Sequence, residues 1–254
     1  MREILIIGIG AGDPEQLTVQ AITALRRVDV FFLLDKGPVK QDLTVLRHEI
    51  LRRHTAGAYR LVEVPDPERD RTAAAYSEAV EDWRRRRADL FAGLIRDELP
   101  DDGCGAFLVW GDPALYDSTL RIVEQIVRNS AEQIEYQVIP GITSLQALAA
   151  KHKVCFNSIG QAFQITPARR LAEGGFPEGV DSVLVMLDAQ DTYQRFVDQD
   201  MHIYWGAYVG TADEVLIQGP LGEVAETIRR RRAALREQHG WIMDSYLLRR
   251  NDKG

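Results

Sequence analysis

The sequence predicts an α/β protein made of two α/β domains, the first around a mostly parallel sheet and the second around a mixed one. Three observations carry this. Through the first half, short β-branched and aromatic runs alternate with longer helical patterns, which implies parallel strands covered on both faces. After the Pro-Gly punctuation of IPGITS the strand candidates crowd together and one pair reads as a hairpin, so antiparallel pairing enters. A length of 254 residues suffices for two compact cores. The punctuation sets the boundary, giving domains 1–140 and 141–254.

In chain order, the first-half strands are EILIIGI, VDVFFLL, YRLVEV, GAFLVW and IEYQVI. Between the first two, LTVQAITALRRV places Leu17, Ala21, Ile22, Leu25 and Val28 on one helical face. LTVLRHEILRRH is also helical, and the segment from Thr72 to Leu99 carries a stripe of Tyr76, Val80, Trp83 and Leu94. In the second half AFQIT, DSVLVML, HIYWGAYV and EVLIQGP read as strands, the last two as a hairpin. The helix EVAETIRRRRAALREQ and a final strand WIMDSYLL complete the chain. VPDPERDRT, rich in proline and charge, is a candidate lid. The runs Arg84–Arg87 and Arg229–Arg232 read as solvated helix sides beside Glu and Asp, with an anion-binding face as the alternative.

Composition narrows the class. Hydrophobic content of 45% and charged content of 27% are ordinary for a soluble globular protein. No apolar run approaches a membrane span, and no export signal is visible. Only Cys104 and Cys155 occur, far apart in sequence, which fits a reducing, cytoplasmic setting. A net charge of −7 disfavours nucleic acid as a partner, and the five histidines show no metal-ligand spacing, so no metal site is expected.

The chemistry concentrates at three strand ends. Gly8, Gly10 and Gly12 follow the first strand as GxGxG, whereas the dinucleotide fingerprint wants GxGxxG opening a helix. Here Asp13-Pro14 follows at once, which disfavours a nicotinamide site even though Asp35 ends the second strand where a ribose-binding acid would sit. A second Gly-Asp-Pro, in WGDPALYDST, ends the fourth strand candidate, and IPGITS ends the fifth. Ligands of open α/β sheets collect outside the carboxyl ends of strands, so three glycine-bearing ends suggest one shared cleft.

GIGAGDPEQLT, WGDPALY and IPGITSLQA, in that order, resemble the signature of the tetrapyrrole methylases, over most of the chain. VDVFFLLDKGPVKQDL, VEVPDPERDR and AYSEAVEDWRRRRADL are similar to the deacetylating branch, which methylates precorrin-5 at ring carbon C-1 and releases acetate to give precorrin-6A. The resemblance implies two α/β domains with S-adenosyl-L-methionine in the cleft between them, S-adenosyl-L-homocysteine as product, and a homodimer. Carried over by position, it implies cofactor contacts at Pro14, Trp110, Gly111, Asp112, Leu115, Thr143, Ser144, Met186, Leu187 and Ala207. Many relatives have a small residue where this chain has Trp110, so the indole must point away or line the pocket.

Methyl transfer from a sulfonium is an in-line displacement that needs alignment rather than a base or a metal. Release of acetate requires activated water, hence a general base and a donor for the oxyanion. Asp35 is the expected base, with Lys36 as its electrostatic partner. Lys36, Lys40, Arg169 and Arg170 are expected to meet the carboxylates of the substrate, although TPARRL also reads as a plain helix start. Two alternatives stand beside this reading: another tetrapyrrole methylase, with a different precorrin or uroporphyrinogen as substrate, and a non-catalytic module binding cofactor or tetrapyrrole.

Overall fold

The computed structural model describes residues 1–37, 40–55, 57–68, 76–131 and 133–251, with residues 76–80 described as backbone alone. Its contacts divide into two compact units, Met1–Thr143 and Ser144–Gly254.

The first unit runs β1 (Arg2–Gly8), α1 (Val19–Leu25), β2 (Val30–Asp35), α2 (Gln41–His54), β3 (Arg60–Pro65), α3 (Tyr76–Glu98), β4 (Cys104–Val109), α4 (Thr119–Asn129) and β5 (Ile134–Ile139). The five strands form one sheet in the order β3-β2-β4-β1-β5, and every pairing is parallel. Because strand side chains alternate, the apolar runs split between two faces. Leu5, Ile7, Phe31, Leu33, Ala106 and Leu108 pack with α1 and α2, while Ile4, Ile6, Phe32, Phe107 and Val109 pack with α3 and α4. A continuous apolar strand is what such two-sided burial demands. Cys104 belongs to this core, and burial pushes its thiol up to about 12.

The strand order has a consequence for any site. From β1 and β2 the chain moves towards the β3 edge through helices on one face. From β3 and β4 it moves the other way through helices on the opposite face. Connections leaving β2 and β4, which are neighbours, therefore diverge. That is the topological switch point of an open α/β sheet. The pairing reflects it: β2 and β4 are in register only from Val30–Gly105 to Phe32–Phe107, and their carboxyl ends separate beyond.

The second unit runs α5 (Ser144–His152), β6 (Phe163–Pro167), α6 (Ala168–Gly174), β7 (Ser182–Met186), β8 (Met201–Ala207), β9 (Val215–Pro220), α7 (Leu221–His239) and β10 (Asp244–Arg250). Its sheet order is β6-β7-β10-β8-β9, with β6–β7 parallel and the rest antiparallel. Residues of α6 and α7 pack on Val183, Val185, Ile203, Trp205 and Tyr246. α5 supplies Leu145 and Leu148 beside Leu184 and Leu247.

All ten expected strands are present and the hairpin is β8–β9, but the last strand starts at Asp244 rather than Trp241. Helix α4 went unread although Ile122, Val123 and Ile126 form a buried stripe on it, and α5 was not legible as a periodic stripe. α5 has short apolar residues on several sides, Leu145, Ala147 and Leu148 being buried. The expected contacts of Tyr76 and Val80 fall outside the described side chains, and the candidate lid runs into residues 69–75, outside the described residues. Its leading part is held on α3: Trp83 Nε1 donates to Pro67 O at 2.8 Å and Arg86 Nη2 to Glu68 O at 2.9 Å. Among the described residues no helix is long and apolar enough to cross a membrane.

Each arginine run resolves in the same way. Arg85 and Arg86 pair with Asp82, and Arg229 and Arg230 with Glu226, as exposed helical neighbours. The fourth member turns inward. Arg87 is buried against Asp66, and Arg232 is buried against Asp244 (Nε to Oδ2, 2.8 Å) and Asp191 (3.1 Å). Asp244 also accepts from Trp205 Nε1 at 2.9 Å. Burial pushes the Asp244 carboxyl up, and Arg232 opposes this. Arg232→Met leaves that carboxylate buried without its cation, so we expect a loss of about 3–5 kcal/mol in unfolding free energy. Arg230→Met, at an exposed pair, should cost less than about 1 kcal/mol. Urea denaturation of both variants, followed by tryptophan fluorescence, checks the contrast.

Candidate functional site

The three glycine-bearing strand ends of the first unit meet backbone to backbone. Gly10 and Gly111 form an isolated antiparallel bridge, with Gly111 N donating to Gly10 O at 2.8 Å and Gly10 N to Gly111 O at 3.3 Å. The end of β5 crosses over them. A Cβ at Gly141 would lie 2.1 Å from Gly111 O, and one at Gly8 would lie 2.6 Å from Gly141 N. Neither position has room for any side chain. Asp112 fastens the crossing: its Oδ1 accepts from Ala114 N and its Oδ2 from Gly141 N, both at 2.8 Å.

The two Gly-Asp-Pro turns are therefore not equivalent. Asp13 caps the short turn Pro14–Gln16 by accepting from Glu15 N at 2.9 Å, a local role. Asp112 links β4 to β5, which are not neighbours in the sheet. Gly111 has φ +68°, and a Cβ there would meet only Thr143 Cα at 3.7 Å, so a ligand can come close to this backbone. Just beyond, Tyr116 is exposed with φ +52°. A bulky residue held in the left-handed region is strained and marks a place where function is to be sought. Leu115 is half-buried and Thr143 buried in this unit.

In the second unit Ser144 opens α5. Met186 ends β7 and is half-buried. Leu187 follows at φ +57° with 64% of its surface exposed, a large apolar side chain presented by strained backbone. Asp188, which sequence reasoning missed, holds that turn. Its carboxylate accepts from Gln190 N, Thr192 N, Thr192 Oγ1 and Tyr246 Oη at 2.7–3.1 Å, and its carbonyl accepts from Arg232 Nη2. An aspartate after a strand, followed four residues later by threonine, was the available signal. Ala207 is fully buried in the core, at the end of β8, and Tyr208 beside it has φ +48°.

Asp35 and Lys36 part company at the end of β2. Asp35 is exposed, accepts from Gly37 N at 3.0 Å, and lines a shallow hollow with Gln41, Thr44 and Glu63. Lys36 lines a different cavity, at the switch point between β2 and β4, with Arg47, Arg87, Trp110, Asp117 and Thr119. Lys36 as a whole residue is exposed, yet its ammonium end faces this cavity. Loss of water there brings its pKa down to about 8, helped by repulsion from Arg47 and opposed by Asp66. Lys40 begins α2 and is half-buried. Arg169 and Arg170 lie exposed on α6, Arg170 pairing with Glu173 at 3.3 Å. The four expected cations are thus spread over both units. Of the four, Lys36 alone lines that cavity, beside the buried cations Arg47, which sequence reasoning did not single out, and Arg87, which it left on a solvated helix side.

The model of the tetrapyrrole (corrin/porphyrin) methylases matches residues 3–225. The precorrin-6A synthase [deacetylating] of Sinorhizobium sp. is 49% identical over 251 residues, covering 98% of this chain and 96% of that protein. Among solved structures, the cobalamin synthesis related protein CobF of Corynebacterium diphtheriae is similar at TM-score 0.85 and 41% identity, covering 99% of this chain and 100% of the other. A uroporphyrin-III C-methyl transferase of Thermus thermophilus, solved with S-adenyl homocysteine, shares the fold at TM-score 0.58 and 18% identity, covering 97% and 91%. With the three crossed strand ends in place and the family model spanning most of the sequence, this chain belongs to the tetrapyrrole (corrin/porphyrin) methylases.

Proposed function

We propose that the chain is an S-adenosylmethionine-dependent C-methyltransferase of cobalamin biosynthesis that methylates precorrin-5 at C-1 and releases acetate, giving precorrin-6A. The observation that carries this is the likeness to the deacetylating precorrin-6A synthase at 49% identity along nearly the whole of both chains. A homodimer is part of the proposal.

In this reading the Gly111 loop, with Pro14, Trp110, Asp112, Leu115, Thr143 and Ser144, holds the cofactor, and Met186, Leu187 and Ala207 contribute its adenine side. The local geometry supports it. Gly111 leaves its backbone open, and Leu187 offers exposed apolar surface on a turn held by Asp188. When bound, the cofactor supplies an electrophilic methyl group. The chain's part is positional: the Asp112 bonds and the glycine crossing keep the loop rigid, so alignment costs little reorganisation at the moment of transfer. Backbone carbonyls at such a loop suit a cationic sulfonium better than basic side chains would. The cations around Lys36 suit a polycarboxylate substrate.

Three outcomes are expected. Purified protein given labelled cofactor and precorrin-5 should transfer the label and release acetate; transfer without acetate would point to another tetrapyrrole methylase, and no transfer to a binding module. Gly141→Ala, which drives a Cβ into Gly111 O, should weaken S-adenosylhomocysteine binding at least tenfold by calorimetry while circular dichroism still reports the fold. Lys36 should also make substrate affinity pH-dependent. Its ammonium is charged below about pH 8 and neutral above, so affinity for the polycarboxylate falls as pH rises through 8. The sign for stability is opposite: between about 8 and the ordinary 10.5 the unfolded chain holds a proton that the folded chain lacks, so folding becomes more favourable with pH. Lys36→Met should lack the affinity step.

A further inference from the structure

Arg47 is a buried cation that no described group of the protein meets. It lies in the middle of the buried stripe of α2, after Leu43 and before Ile50 and Leu51, where helical period alone would ask for an apolar residue. Only 7% of its surface is exposed, and it makes no hydrogen bond or ion pair with a described residue. The other arginines of α2 are satisfied locally, since Arg52 and Arg53 both pair with Glu49. Burial pulls the Arg47 pKa down, and Asp117 and Asp66 oppose this only through space. Its guanidinium nitrogens are not sealed off, and the residue lines the cavity at the switch point.

That cavity lies where the carboxyl ends of β2 and β4 separate, with Arg47 coming from α2 on one face of the sheet and Arg87 from α3 on the other. Arg87 already has partners: its Nε is 2.9 Å from Asp66 Oδ1, and its Nη1 donates to Ser118 Oγ at 2.8 Å. Asp117 is partly used as well, its Oδ1 accepting from Thr119 N at 2.6 Å. Lys36 joins the cavity to the surface, being exposed as a residue while its ammonium end faces inward. Three cations, Lys36, Arg47 and Arg87, thus share two carboxylates, Asp66 and Asp117. Water could satisfy the Arg47 N–H groups but not its charge, and a buried charge without a partner is costly. The open volume is about 50 Å³. At roughly 10–15 Å³ for each small group, that is room for about four heavy atoms, a carboxylate and the carbon that carries it. A larger hollow of about 280 Å³ between α3 and α4 opens beside Ile134, at the amino end of β5 and away from the strand ends where the chemistry collects.

We infer that this cavity is a socket for one carboxylate arm of the substrate, gripped by Arg47 with Lys36 at the entrance, and that Arg47 is a specificity-determining residue of the enzyme. This rests on the reading of precorrin-5 as substrate. The socket is too small for a ring, so it reads the rim of a flat polyacid at a single point. An acid arm there gains a charge-assisted, fork-shaped pair of hydrogen bonds. A neutral or bulkier substituent at the same place leaves Arg47 unmet and is rejected for that reason, since leaving a buried polar group unpaired discriminates more strongly than apolar fit does. Arg87 has a different part: tied to Asp66 and Ser118, it keeps α3 and the end of β3 in place beside the socket.

Two measurements test this. First, labelled formate is titrated into the full chain by NMR, with formamide as its neutral counterpart of the same size. Formate should bind and formamide should not, and Arg47→Met should weaken formate at least tenfold, as expected for lost hydrogen bonds to a charged group. No formate binding, or binding unchanged in Arg47→Met, overturns the socket. Second, initial rates are measured with labelled cofactor and precorrin-5. In the wild type, formate should compete with precorrin-5 and not with the cofactor. In Arg47→Met the loss should fall on KM for precorrin-5, at least tenfold, rather than on kcat. Arg47→Lys, which keeps the charge without the fork, should recover part of it. S-adenosylhomocysteine affinity by calorimetry should stay at the wild-type value in both variants. If it drops with the KM effect, Arg47 is structural and the assignment fails, as it does if formate is not competitive. An active wild type whose KM is matched by Arg47→Met overturns the socket and leaves the functional reading standing. A wild type that binds formate through Arg47 yet does not methylate precorrin-5 overturns the functional reading, and the substrate arm with it.

Discussion

Everything at the carboxyl end of the first unit's sheet depends on one contact in which backbone meets backbone. Gly8, Gly111 and Gly141 pack so closely that a single added carbon at Gly141 would sit 2.1 Å from a carbonyl oxygen. Strand ends carrying side chains would stand apart, and their loops would move independently. Here the first, fourth and fifth strand ends touch, and the Asp112 carboxylate bridges two of them. A loop built this way is rigid without a core of its own. That suits a reaction in which the protein's task is to hold two reactants in line.

The second unit reaches a similar end by other means. Its exposed, strained Leu187 is held by Asp188, whose carboxylate takes four hydrogen bonds and whose carbonyl is bound by buried Arg232. Arg232 in turn neutralises Asp244 beneath Trp205. The strain at Leu187 is thus paired with a buried polar network that fixes the turn.

Lys36 illustrates how placement overrides residue type. As the residue after a strand it reads as a partner for Asp35 and for substrate carboxylates. At the switch point it is one of three cations around a gap in the sheet, and its pKa is brought down to about 8. The gap exists because β2 and β4 send their helices to opposite faces, so their carboxyl ends lose registration after Phe32 and Phe107. Asp35, one residue earlier, belongs to a different surface, because neighbouring strand residues point opposite ways.

The sequence by itself determined the class of fold, the ten strands, the hairpin and the three glycine turns, because these are written in local period and in residues with special backbone freedom. It also carried the family, through the order of GIGAGDPEQLT, WGDPALY and IPGITS. Only the tertiary structure decided which of two identical tripeptides is a cap and which a cross-link, since Asp112 differs from Asp13 by a partner 29 residues away. It also decided which arginine of each run is buried. Arg87 and Arg232 have the same neighbours in sequence as their solvated companions, and only the packing of α3 and α7 on their sheets turns them inward. Local sequence encodes backbone preference and period. Charge burial and partner choice depend on what the rest of the chain brings alongside.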